Sequence, residues 1–152
     1  MRARAGLFRR IVYASDFSRA SGKAFTTAVE MARANRAPLT VVHVMTPMVP
    51  IAGEGYVLPE TYEQIERSAR KAAEKQLDRL VAKAREAGVR VEGLLRTGVP
   101  HDQIVRVARA RGAGLLVIGT HGRTGLARLF LGSVASRVLA LATCPVLTVR
   151  GR

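Results

Sequence analysis

The chain has 152 residues, which suits one domain (residues 1–152), and its single cysteine excludes an intramolecular disulfide framework. Its apolar stretches are too short to span a membrane and its basic N-terminus lacks the apolar run of a signal peptide, so we expect a cytoplasmic protein with no membrane partner. The formal net charge of +14 comes from basic residues spread through the chain, with few aromatic residues and no helix-turn-helix, zinc-finger or RNA-recognition signature, which argues against specific nucleic-acid binding.

Short apolar runs alternate with amphipathic helical patterns in the first half of the chain. The run Ile11–Ala14 predicts a buried strand, and Ser18 is placed to cap a helix that ends near Ala34. A second strand is predicted over Leu39–Met45. The following segment, Thr46–Pro59, is rich in proline and glycine, which predicts a loop.

The alternation continues beyond this loop. Apolar residues at helical spacing predict a long helix from about Glu60 to Ala87, and a strand follows over Val89–Leu95. Pro100 suits the first turn of a third helix, whose apolar positions continue to about Arg111.

Three further elements complete the pattern. They are a strand over Leu115–Ile118, a helix over Val134–Leu141 that starts near Gly132, and a strand over Val146–Val149. The order βαβαβαβαβ with right-handed crossovers predicts an α/β fold. Its form is a single doubly wound, five-stranded parallel sheet with helices on both faces.

Segments that are distant in the sequence are expected to meet at one edge of this sheet. A doubly wound sheet binds its ligand beyond the carboxyl ends of its strands. Ser15 and Asp16 follow the first strand, His43 and Val44 end the second, and Gly119 follows the fourth. These residues are therefore predicted to line one cleft.

The segment after the fourth strand has the composition of a phosphate-binding loop. Gly119, Gly122, Gly132 and Ser133 give the spacing G-x2-G-x9-G-S between a strand and a helix. Glycines let the backbone approach an anion, and the first turn of a helix offers unpaired N–H groups at the positive end of its dipole. The spacing differs from those of the P-loop and the dinucleotide-binding motif. The alternative is that the glycines only end a strand and cap a helix.

Nearly the whole chain, from about Phe8 to Val149, resembles a universal stress protein domain. The motifs that carry the resemblance are Ile11–Ser18, Val41–Val44, Thr97–Pro100, Ile118–Arg123, Gly132–Ala135 and Cys144–Val149. The resemblance implies an adenine-nucleotide alpha-hydrolase-like fold with strand order 3-2-1-4-5. Within the family, the G-x2-G-x9-G-S spacing is typical of the members that bind ATP.

The resemblance assigns the adenosine half of the ligand to the first, second and fourth strands. It implies that Asp16 contacts the ribose or adenine, that the Val44 backbone reads the adenine edge, and that Ile118 packs on the base or sugar. Ala14 and Ser15 belong to the same turn as Asp16. ATP-binding relatives often carry proline where this chain has Ala14, so the resemblance does not fix the shape of the adenine-side loop. The alternative for Asp16 is that its carboxylate only braces the turn.

The resemblance assigns the phosphates to the glycine motif. It implies that Gly119 and Gly122 leave room for the ribose and phosphates. Gly132, Ser133 and Val134 would offer backbone N–H groups, and the Ser133 hydroxyl would contact a phosphate.

His121 and Arg123 are two of the polar residues inside this motif. His121 either contacts phosphate or orders the loop, and Arg123 either contacts phosphate or stays solvated. The histidines have no metal-ligand spacing. Mg²⁺ is expected to accompany ATP, bound through its phosphates.

No nucleophile elbow, Ser-His-Asp arrangement or carboxylate placed to activate water is evident, so no catalytic residue is assigned. The favoured hypothesis is an ATP-binding regulatory or stress-response module, whose protein client the sequence does not identify. The alternatives are a basic nucleic-acid-associated protein and an enzyme that hydrolyses ATP slowly. A homodimer joined through the C-terminal strand Val146–Val149 is expected, because an apolar strand at a sheet edge invites pairing and universal stress proteins commonly dimerise in this way.

Overall fold

The computed structural model describes residues 8–48, 58–121 and 131–151. Within these ranges, strands and helices alternate without exception. The strands are β1 Ile11–Ala14, β2 Leu39–Met45, β3 Val91–Thr97, β4 Leu115–Gly119 and β5 Val146–Val149. The helices are α1 Ser21–Asn35, α2 Pro59–Glu86, α3 Pro100–Ala110 and α4 Ser133–Leu141. In this part of the chain, no helix combines the length and apolar character that crossing a bilayer requires.

All the strands are parallel and lie in the order β3-β2-β1-β4-β5, which confirms the predicted topology. β1 lies at the centre, and alternate residues point to opposite faces. Tyr13 packs in a core with α1 and α2, whereas Val12 packs in a second core with α3 and α4. The helices therefore cover both faces, as the alternating pattern predicts.

Two element boundaries differ from the sequence-based expectation. α1 begins at Ser21 instead of directly after Ser18, although the Ser18 hydroxyl accepts a hydrogen bond from the Ser21 N–H at 3.2 Å. β3 covers Val91–Thr97 instead of Val89–Leu95, because it pairs residue for residue with the whole of β2. Val89 is buried just before the strand begins, so its apolar character reflects packing.

The long helix α2 packs on the sheet through its C-terminal half only. Its buried residues are Ala73, Leu77, Val81 and Ala84. Gly93 of β3 permits this close approach, since a Cβ there would lie 3.0 Å from both Leu77 Cγ and Val81 Cγ2. The N-terminal half of α2 is left to border the carboxyl edge of the sheet.

Candidate functional site

A cleft of about 730 Å³ opens at the carboxyl edge of the sheet. This volume lies within the range of small-molecule sites. Every predicted site residue within the described ranges lines it, namely Ala14, Ser15, Asp16, Val44, Ile118, Gly119, His121, Gly132, Ser133 and Val134. The two other predicted residues, Gly122 and Arg123, lie outside the described residues. The structure thus brings the ends of β1, β2 and β4 together with the start of α4.

The turn after β1 is ordered by its own polar side chains. The Asp16 Oδ1 atom accepts a hydrogen bond from the Ser18 N–H at 2.9 Å, and the Ser15 hydroxyl accepts one from the Phe17 N–H at 3.1 Å. Asp16 is half-buried and also lines the cleft. The carboxylate therefore braces the turn and faces the site at the same time, so the two alternatives raised by the sequence are compatible.

Phe17 and His43 form an aromatic wall of the cleft. Their rings stack with centroids 4.0 Å apart and planes inclined by 27°. His43 Nδ1 lies 2.7 Å from the Ser15 carbonyl oxygen, and since a carbonyl only accepts, Nδ1 carries the hydrogen. The backbone of Phe17 has φ 60°, a left-handed conformation that is unfavourable for a bulky residue. The sequence predicts His43 at a strand end but does not reveal Phe17 as a site residue, because a left-handed backbone leaves no periodic signal.

Tyr13 anchors the start of α1 from beneath the cleft. Its hydroxyl donates a hydrogen bond to the carbonyl of Ser21 at 2.8 Å, and Ser21 itself lines the cleft. The Tyr13 ring is fully buried and packs against Phe25 with centroids 5.7 Å apart. This burial raises the pKa of the Tyr13 hydroxyl, so the group stays neutral and donates its hydrogen.

Small residues of α2 form the opposite wall of the cleft. They are Ala69, Ala72 and Ala73, and the longer Gln76 lines the cleft beside them. The helical periodicity of α2 places these residues on one face but does not show that they line a cleft. Along this face of α2, alanines give way to the larger side chains of Leu77 and Val81. This increase in side-chain size is the signal that could have distinguished the wall of a cleft from a packed core.

The start of α4 supplies hydrogen-bond donors at the other end of the cleft. Ser133 and Val134 belong to its first turn, where helix geometry provides no intrahelical acceptor for the N–H groups. Gly132 differs from the expectation, because its N–H already donates to the Thr120 carbonyl at 2.7 Å. Its amide is therefore committed to holding α4 against the end of β4, and this part of the predicted role is corrected.

Thr120 and His121 line the cleft where β4 ends. The Thr120 hydroxyl lies 2.9 Å from His121 Nδ1. Among the residues that the structure describes, none forms a hydrogen bond with His121 Nε2, although this atom is buried. A buried imidazole nitrogen normally has a partner, so this atom is an exception to the usual pairing of buried polar groups.

The cleft offers little to a protein-bound metal. Asp16 is the single acidic residue among its described lining residues. Over the described ranges, no group of three or more histidine, cysteine or acidic side chains is placed to hold a metal ion. A divalent cation at this site would therefore depend mainly on ligands supplied by the molecule that brings it.

Sequence comparison relates the chain to one family. Residues 7–150 match the model of the universal stress protein family. The chain is similar to the universal stress protein YxiE of Bacillus subtilis, with 35% identity over 148 residues that cover 95% of this chain and 100% of the relative.

Structural comparison leads to the same group of proteins. The universal stress protein from Archaeoglobus fulgidus in complex with dAMP is 30% identical with a TM-score of 0.65, covering 93% of this chain and 98% of that one. A universal stress protein family protein from Arabidopsis thaliana with AMP bound is 25% identical with a TM-score of 0.67, covering 92% of this chain and 93% of that one. These similarities confirm the adenine-nucleotide alpha-hydrolase-like fold.

Proposed function

The chain belongs to the universal stress protein family, and from this premise we propose that it binds ATP in the cleft and acts as a cytoplasmic, nucleotide-dependent regulatory module in the stress response. One observation carries the proposal: Asp16, an apolar wall and the first turn of α4 line the same cleft although they are far apart in sequence. Relatives with AMP and dAMP bound support the adenine-nucleotide part of the proposal.

The ends of β1, β2 and β4 suit the adenosine half of the ligand. Ile118 is buried and offers an apolar surface to a base or sugar. Asp16 offers a carboxylate whose orientation is held by the Ser18 N–H, which suits an acceptor for ribose hydroxyls. Val44 lies at the end of β2, where its backbone can meet the adenine edge.

The start of α4 suits the phosphates. The N–H groups of Ser133 and Val134 and the positive end of the helix dipole favour an anion. The Ser133 side chain is exposed and can donate its hydroxyl hydrogen to a phosphate oxygen. His121 also lines the cleft, and we propose that its side chain contacts the phosphates. We also propose that Gly122 leaves room for the ribose and phosphates, as the resemblance implies, and that Arg123 contacts a phosphate.

Mg²⁺ is proposed to enter the cleft on the phosphates of ATP. The residues present fit this arrangement, since Asp16 is the single carboxylate among the described lining residues. Mg²⁺ commonly keeps several waters and binds through substrate phosphates with one or two carboxylates. The ion would supply charge neutralisation, while the chain's own donors orient the phosphates.

ATP with Mg²⁺ is expected to raise the melting temperature of the protein. A ligand at a hundred times its dissociation constant adds about 2.7 kcal/mol of stability, which is about 5 to 11 °C for a domain of this size. Differential scanning fluorimetry measures the shift after any co-purifying nucleotide has been removed and identified by mass spectrometry. Inorganic phosphate and GTP are the controls, and both should shift the melting temperature clearly less. If millimolar ATP leaves the melting temperature of nucleotide-free protein unchanged, the proposal is wrong.

We also propose a homodimer joined through β5. Among the strands of the described ranges, β5 lies at an edge of the sheet and pairs with β4 only. The Leu116 N–H donates to the Pro145 carbonyl, which fixes which residues of β5 bond to β4. Because alternate residues of a strand direct their backbone groups to opposite sides, the N–H groups of Val146 and Thr148 point away from β4. An antiparallel partner strand could bond to these groups across a two-fold axis.

Val146→Pro is expected to convert this dimer to a monomer, because proline removes an outward donor at the interface. Light scattering coupled to size-exclusion chromatography measures the mass at micromolar concentration. Leu147→Pro is the matched control, since it removes a donor on the β4 side and should instead lower the melting temperature. A monomeric wild-type protein would contradict the dimer, and a dimer unaffected by Val146→Pro would contradict this interface.

A further inference from the structure

A second cavity lies on the other side of α3, beside the edge strand β3. It has a volume of about 270 Å³ and, over the described ranges, shares no lining residue with the cleft. Its floor is apolar and includes Leu94 and Val107, and its rim carries Arg96, Arg106 and Arg111. We call this cavity the arginine groove.

The fold brings these arginines together from separate positions in the sequence. Leu94 packs in the core formed with α3, so Arg96, two residues later on the same strand, lies on the same face of the sheet. Arg106 is an exposed residue of α3, and Arg111 directly follows its last turn. The groove therefore depends on the packing of α3 against β3.

Arg111 is held in place by an ion pair outside the groove lining. Its Nε atom lies 2.9 Å from Glu92 Oε1, and its Nη2 atom donates to Glu92 Oε2 at 3.1 Å. Glu92 also accepts a hydrogen bond from the Thr40 hydroxyl at 2.9 Å. Glu92 thus compensates Arg111 and fixes its guanidinium.

The two other arginines of the groove have no such compensation. Among the described residues, neither Arg96 nor Arg106 forms an ion pair, and no acidic side chain lines the groove. Within the described ranges, the one side-chain hydrogen bond of Arg96 runs from Nη1 to the Leu95 carbonyl at 3.5 Å, which is weak. Two cations with free donors therefore border an apolar floor, which is an arrangement that attracts an anion.

We infer that the arginine groove is a second anion site, which binds a compact phosphoryl anion such as inorganic triphosphate. Guanidinium groups match phosphate oxygens through paired hydrogen bonds, which a diffuse lysine patch cannot do. The volume falls below the usual range of about 300 to 1,000 Å³ for sites that hold drug-sized ligands, which favours a compact anion. An anion site in the groove would give a function to some of the basic residues behind the +14 net charge, which the cleft does not explain.

Titration of ¹⁵N-labelled protein with inorganic triphosphate tests the inference, because amide shifts identify the site. Shifts are expected in residues 94–97 and 103–111, distinct from any shifts at Gly119, Ser133 and Val134. The double variant Arg96→Gln/Arg106→Gln should weaken binding in the groove about tenfold or more, as expected for lost charged hydrogen bonds. Arg79→Gln is the matched control, because Arg79 is exposed on α2, which packs on the opposite face of the sheet.

Three results would overturn the inference. Shifts confined to the cleft would place triphosphate there alone, and an equal loss in Arg79→Gln would indicate unspecific attraction by surface charge. Single-stranded DNA that displaces triphosphate from the groove at about 150 mM salt would assign the site to nucleic-acid phosphates. The thermal shift tests ATP binding in the cleft separately, so this inference can fail while the proposed function stands.

Discussion

Gly132→Val is expected to abolish binding of an adenine nucleotide while the far-UV circular dichroism spectrum stays native. Gly132 lines the cleft directly before the first turn of α4. A Cβ there would lie 3.1 Å from the Thr120 carbonyl oxygen, so the branched side chain must displace that oxygen or extend into the cleft. Either change disturbs the donors proposed to hold the phosphates. The increase in melting temperature expected with ATP and Mg²⁺ should therefore disappear.

Gly22→Val is the control for this substitution. Gly22 is exposed on α1, and a Cβ built there meets no atom within 4 Å, so nucleotide binding should be retained. If Gly132→Val lowers the melting temperature without nucleotide, Gly119→Ala replaces it, because a Cβ at Gly119 approaches no atom closer than 3.6 Å. Wild-type affinity in both Gly132→Val and Gly119→Ala would place the nucleotide elsewhere.

Tyr13→Ala is expected to lower the free energy of unfolding by about 3 to 5 kcal/mol, the usual range for removing a large buried aromatic side chain. Tyr13 is fully buried in the central strand, and it links β1 to α1 through Phe25 and the Ser21 carbonyl. The corresponding fall in melting temperature is about 6 to 20 °C for a domain of this size. Urea denaturation followed by circular dichroism measures the change, and a loss below about 1 kcal/mol would contradict the packing described for this ring.

Tyr13→Phe separates the hydroxyl from the ring. It should cost only about 1 kcal/mol, since it removes one hydrogen bond and keeps the ring in place. It should also change the pH dependence. The pKa of Tyr13 is raised in the folded state above its ordinary value of 10.0, so its stabilising effect is complete below pH 10.0 and is lost as the pH rises through the folded-state pKa. The wild type should therefore lose more stability above pH 10.0 than Tyr13→Phe does.

The sheet could be predicted from the sequence because its strands are short apolar runs between clear breaks. Strand β1 is bounded by Arg10 and Ser15 and is buried on both faces, so the strand begins and ends where the apolar run does. The predicted bounds of β3 were less accurate, because Val89 is as apolar as the strand that it precedes. Its true register is set by pairing with β2, which is a tertiary contact that local composition does not contain.

The candidate site could be predicted where it follows strand ends, and less well elsewhere. Asp16, Val44 and Gly119 follow or end strands that meet at one edge, and the structure places them in one cleft. The contribution of α2 was missed, because helical periodicity shows which face is apolar but not which turns reach the sheet. The hydrogen bond of the Gly132 N–H could not be predicted for a similar reason. Its acceptor is the Thr120 carbonyl, and this pairing is a tertiary contact.

The central position of β1 has a consequence for the order of assembly during synthesis. Ile11 pairs with Leu39 on one side and with Leu115 on the other, so β1 leaves the ribosome long before β4, one of its two neighbours, has been synthesised. Contacts between distant segments form late because closing a long loop lowers the chain's entropy. A nascent chain ending before β4 would hold β1, β2 and β3 with one flank of β1 still open to other chains. Chaperone demand is therefore expected to be greatest in that interval and to fall once β4 has emerged.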